Sequence, residues 1–131
     1  MFETIRRQAY LLRGRNPPVS GLWERTGDDF AGCVVIVEPV GKQLQGRITE
    51  VPAAMRNVGW VVGDVKWKSI HTAGRNRYRL MDLFKSYDTS NTRLLQSRYQ
   101  PARLHFYSDK RFYVVPDEAP QGSTTYWLRI D

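Results

Sequence analysis

The stretch RNRYRLMDLF, residues 75 to 84, places two chemistries on the two faces of one extended segment. At a period of two, Tyr78, Leu80, Asp82 and Phe84 share one face. A carboxylate among apolar neighbours must be paired, protonated or hydrated. Asp82 is therefore either one half of an ion pair or, with Tyr78, a polar anchor for a ligand. Arg75, Arg77 and Arg79 share the opposite face, with successive side chains roughly 6.6 to 6.8 Å apart. That row either tracks the phosphates of an anionic partner, with Trp67, His105 and Tyr107 as stacking surfaces, or is a solvated face. Met81 and Leu83 continue it as apolar residues.

Other reactive side chains do not assemble into a catalytic pattern. His71 and His105 are the only histidines, and neither stands in a Ser, Cys or acid arrangement of the triad type. Cys33 lies in the apolar run CVVIV, which suits a buried small hydrophobe better than a thiolate. Asp28 and Asp29 occupy a turn, where Asp is favoured for backbone reasons. One Cys and two separated His give no metal-ligand spacing, and no glycine-rich phosphate loop is present. The expectation is a binding protein without cofactor or metal, ahead of an enzyme, which stands as the third reading.

The elements that position these residues change period near the two prolines. Phe2, Ile5, Ala9 and Leu12 recur at helical spacing, predicting an amphipathic N-terminal helix within residues 1 to 15 that Asn16, Pro17 and Pro18 end. From Gly21 the period becomes two. Leu44 and Ile48 alternate with polar residues in KQLQGRITEV, as do Ala102, Leu104 and Phe106 in ARLHFY. Turn chemistry separates strands near 20 to 26, 32 to 38, 42 to 50, 60 to 69, 76 to 86, 102 to 107, 111 to 115 and 124 to 130. Residues 87 to 100 read as a long loop or a turn or two of helix. In VPAAMRNVG, Met55 and Val58 give a connection with an apolar tip, either a lid, a contact patch or a loop folded back on the core.

Connections this short exclude a parallel sheet, whose crossovers need about a dozen residues or more. The prediction is one all-β domain over residues 1 to 131, an eight-stranded antiparallel up-and-down barrel over 20 to 131. Closure removes the exposed edges that would otherwise pair with other chains. Leu44, Ile48, Tyr78, Leu80, Phe84, Leu104 and Phe106 are candidates for its inward face.

Charge narrows the partners. The net charge is +7, and residues 75 to 116 hold nine basic against three acidic side chains. Such a block favours an acidic protein or nucleic acid unless it is only a solvated surface. No apolar stretch is long enough for a membrane span, and the charged start does not read as a secretory signal, so a soluble cytoplasmic protein is expected.

Gly21, Leu22 and Trp23 form a Gly-x-Trp at the head of the first strand, and Trp127, Leu128 and Arg129 form a Trp-x-Arg near the end. The pair resembles the lipocalins and their calycin relatives, in the style of small bacterial lipocalin-like barrels. The Thr-Asp-Tyr type loop motif and the stapling disulfide of that family are absent. The resemblance implies that Trp23 closes the barrel floor beneath Arg129, with Gly21 letting the backbone pass close to the ring. It also implies a small apolar or amphipathic ligand inside the barrel, with Tyr78, Leu80, Asp82, Phe84, Leu104 and Phe106 as candidate contacts. The alternative is an interaction module that binds an acidic protein or nucleic acid through Arg75, Arg77 and Arg79.

Overall fold

The computed structural model describes residues 18–88, 90, 93–118 and 123–131. The helix predicted near the N-terminus lies outside them. Eight strands follow one another as β1 (Gly21–Thr26), β2 (Val34–Val40), β3 (Gln43–Glu50), β4 (Val65–Gly74), β5 (Arg77–Asp88), β6 (Arg93–Ser108), β7 (Arg111–Pro116) and β8 (Thr125–Arg129). Each pairs antiparallel with the next, and β8 returns to β1, giving a closed barrel. The closing register sets Trp23 opposite Arg129 and Thr26 opposite Tyr126. The β1 end bearing Gly21 is called the floor and the end bearing Thr26 the mouth. A single turn of helix, α1 (Ala53–Arg56), lies in the connection from β3 to β4. No described helix is long and apolar enough to cross a membrane.

Period-two alternation carries inward side chains from every strand into one aromatic core. Trp23, Trp67, Trp127 and Phe112 are all fully or almost fully buried. Their rings pack edge to face or tilted, with centroids 4.3 Å apart for Trp23 and Phe112 and 4.7 Å for Trp67 and Trp127. Four rings of this size fill the lower barrel, which leaves the residual space at the mouth. Gly46 makes that filling possible. A Cβ there would stand 2.6 Å from Trp67 Cε3 and 2.9 Å from Val35 Cγ1, so the indole uses the volume a side chain would take.

Three features differ from the sequence reading. The fourth strand, expected at 60 to 69, runs from Val65 to Gly74. Trp60 belongs instead to the preceding connection, because the Asp64 carboxylate accepts the Val61 N–H at 3.0 Å and fixes a turn there. The segment 87 to 100, expected as loop or helix, is mostly strand: β5 and β6 continue past the barrel rim as a two-stranded ribbon. Residues 93 to 98 are exposed on both faces, so their sequence has no apolar alternation to betray the strand. Phe84, expected inward, sits at the rim and is 39% exposed. Met55 is completely buried and Val58 and Trp60 nearly so, which makes the 51 to 64 connection a plug folded onto the core.

Candidate functional site

Two places gather side chains able to bind a partner: the mouth of the barrel and the outer face of β5 to β8. The floor is sealed. Arg129 lies over the Trp23 ring, and its guanidinium donates to the carbonyls of Pro18 and Ser20. The Trp23 indole N–H donates to the Val19 carbonyl at 2.8 Å. Gly21, at φ 134°, runs so close to this stack that a Cβ would stand 2.5 Å from Arg129 Nη1.

The mouth is built around a buried ion pair. In β4, consecutive residues of β3 oppose Val65 and Trp67, so Lys66 is an extra residue in a bulge. A bulge turns two successive side chains to one side, and Lys66 and Trp67 are both buried. Lys66 Nζ donates to Asp82 Oδ1 at 2.7 Å and to the Leu83 carbonyl at 2.9 Å. Lys85 Nζ reaches the Gly59 carbonyl and Asp64 Oδ2, each at 2.8 Å. Trp60 lies about equally close to both ammonium groups, at 5.0 Å from Lys66 and 5.1 Å from Lys85. Its own indole N–H has no acceptor among the described residues.

Above this pair opens a cavity of about 300 Å³, lined in part by Arg25, Phe30, Trp60, Asp82, Phe84, Arg98 and Gln100. Arg25 is held by Asp28, with Nη2 2.9 Å from Oδ2, and covers the Phe30 ring. Arg98 covers Phe84 at 5.5 Å and makes no ion pair with a carboxylate among the described residues. Burial pushes the nearby Cys33 thiol up to about 11, so it stays protonated near neutrality. No group of His, Cys, Asp and Glu able to hold a metal occurs among the described residues.

The outer face has a different composition. The register runs Arg77 to His105 to Tyr113 to Tyr126 in one row across β5, β6, β7 and β8. His105 and Tyr113 lie parallel with centroids 5.1 Å apart, and Tyr113 is 6.2 Å from both Tyr107 and Tyr126. A neighbouring row pairs Arg79 with Arg103, and both face Asp117. The Arg79 hydrogen bond holds the Asp117 carboxyl below its ordinary value. Partial burial first, then Arg103 and Arg77, lower the His105 pKa. A recess of about 230 Å³ lies among Arg77, Arg79, Arg103 and His105.

Of the inward candidates, Asp82 and Phe84 line the mouth cavity. Tyr78, Leu80, Leu104 and Phe106 are packed into the core below it, as is Ile48, and half-buried Leu44 packs against that core. Arg77 and Arg79 face outward, Arg75 occupies the β4 to β5 turn, and Trp67 is a core residue remote from any surface row. Sequence reasoning missed Arg25, Lys66 and Arg98 at the mouth. Arg25 is two residues past Trp23, so strict alternation would have found it, whereas Arg98 stands in the exposed ribbon of residues 93 to 98, where no alternation marks the strand. Lys66 was hidden by its bulge. Comparison of the chain with protein-family models, curated proteins and solved structures found no match.

Proposed function

We propose that the barrel binds a small amphipathic molecule carrying an acidic group at its mouth, without catalysing a reaction on it. This is the mode expected of the lipocalin-like proteins that its Gly21-Leu22-Trp23 and Trp127-Leu128-Arg129 segments resemble. The carrying observation is the mouth cavity, where the Arg98 guanidinium stands beside Phe84 without a carboxylate partner among the described residues. Concave sites of this kind pair an apolar wall with a few placed polar groups. Phe30, Trp60 and Phe84 supply the wall, and Arg98 takes the acidic group. At about 300 Å³ the space stands at the lower limit for small-molecule sites, and the aromatic core blocks deeper entry. The ligand is accordingly short, with its apolar part on the rings and its acid at the rim.

An anilinonaphthalene sulfonate dye combines a fused ring with an anionic group and serves as the probe. Titration followed by dye emission should show saturable binding. Arg98→Ala should weaken it about tenfold, in line with loss of a charge-assisted contact, and Phe84→Ala should act in the same direction. Both residues are exposed, so the variants should keep their fold. Equal affinity of wild type and both variants would overturn the reading.

A further inference from the structure

We propose that the outer face of β5 to β8 binds single-stranded nucleic acid, independently of the mouth cavity. Bases stack on Tyr107, Tyr113 and Tyr126, and phosphates meet Arg77, Arg79 and Arg103. The rings are not scattered: strand register sets His105, Tyr113 and Tyr126 in one cross-strand line, and Tyr107 flanks it. Adjacent strands are about 4.8 Å apart, so the line presents successive rings at a spacing a nucleotide chain can follow. Tyr107 is 53% and Tyr126 47% exposed, which leaves ring surface for a base.

Cations lie at one end of this line. Arg77 is the next member of the row beyond His105, and Arg79 and Arg103 lie alongside it. Asp117 is shared by Arg79 and Arg103, so a single carboxylate offsets two guanidinium groups. Arg77 has no carboxylate partner among the described residues, and the recess beside it is walled by Arg79, Arg103 and His105. An acidic peptide would satisfy the arginines and leave the tyrosines in water. A polyanion that also carries aromatic faces satisfies both, and single-stranded nucleic acid is that chemistry.

Fluorescence anisotropy with a labelled twelve-nucleotide oligo(dT), at roughly 50 mM salt, tests this on the full chain. An abasic oligonucleotide of equal length and poly-glutamate are the comparison probes. Oligo(dT) should bind more tightly than either. The Tyr107→Ala, Tyr126→Ala double variant should weaken oligo(dT) about tenfold or more while leaving the abasic probe unchanged. Arg77→Ala should weaken both oligonucleotides and flatten the salt dependence by about one phosphate contact. Each substitution is at an exposed position, and an unchanged thermal midpoint establishes that the fold is retained. Binding of the abasic probe or poly-glutamate as tightly as oligo(dT), or indifference of oligo(dT) to the tyrosine substitutions, would overturn the proposal. No detectable oligo(dT) binding would overturn it equally.

Discussion

The Arg129 guanidinium carbon lies 4.4 Å from the centroid of the Trp23 ring, and the two residues are also directly opposite in the β1 to β8 register. One pair thus both closes the hydrogen-bonded cylinder and seals its end. A cation on an indole is worth about 0.5 to 2 kcal/mol, and the charged bonds to the Pro18 and Ser20 carbonyls add to it. Arg129→Ala should therefore cost about 2 to 4 kcal/mol in urea unfolding. Gly21→Ala should be destabilising for a separate reason. Its Cβ would stand 2.5 Å from Arg129 Nη1, at a φ of 134° that side-chain-bearing residues rarely adopt. If Arg129→Ala unfolds at the wild-type midpoint, the pair does not hold the floor.

Gly46 tests the packing of the core from the other direction. Its backbone φ is unremarkable, so Gly46→Ala adds volume without backbone strain. The added methyl would meet a tryptophan ring and a valine, both completely buried, and neither is a flexible side-chain end. Overpacking of this kind costs about 1 to 3 kcal/mol. Near-ultraviolet circular dichroism should change with stability, because Trp67 is the ring displaced.

Lys66 and Asp82 are 5% and 7% exposed, so each neutralises a charge that is largely shielded from water. Removing one partner strands the other, at a cost of about 3 to 5 kcal/mol. Lys66→Met and Asp82→Leu alone should each be strongly destabilised. The double variant should recover much of the loss, since replacing a whole buried pair by apolar groups is often neutral or better. Additive losses in the double-mutant cycle would show that the two side chains act separately.

How far the sequence disclosed this molecule follows from which residues feel water on one side only. Where a strand has a dry face and a wet face, as in Leu44 to Ile48 or Ala102 to Phe106, its alternation marks both the strand and its inward residues. The ribbon of residues 93 to 98 has solvent on both faces, so no alternation exists to read. Lys66 breaks the rhythm by its bulge, which made a buried cation look like a surface one. Asp82 was legible as an inward carboxylate, yet its partner was not, because pairing across strands depends on register. Tyr107 was legible as a stacking surface, but Tyr113 and Tyr126 escaped for the same reason: they are thirteen positions apart and become neighbours only once β7 and β8 are aligned. Each strand discloses its own faces, and the rows between strands emerge only on closure of the sheet.

His105 reports on the outer face through its titration. Burial is the main cause of its lowered pKa, and the Arg103 and Arg77 charges push in the same direction. Its proton should leave below the ordinary histidine value of about 6.5. An NMR titration of the ring protons should find that midpoint, and Arg103→Ala should move it upward by removing one of the two charges. The sign for stability follows from linkage. Between the ordinary value and the lowered one, the unfolded chain binds more protons than the folded chain, so folding weakens as pH falls through that window. Above the ordinary value both states hold a neutral ring and the contribution is complete. Greater folding stability on acidification through this window in wild type than in His105→Phe would contradict the depressed titration and the neutral ring it places beside Tyr113.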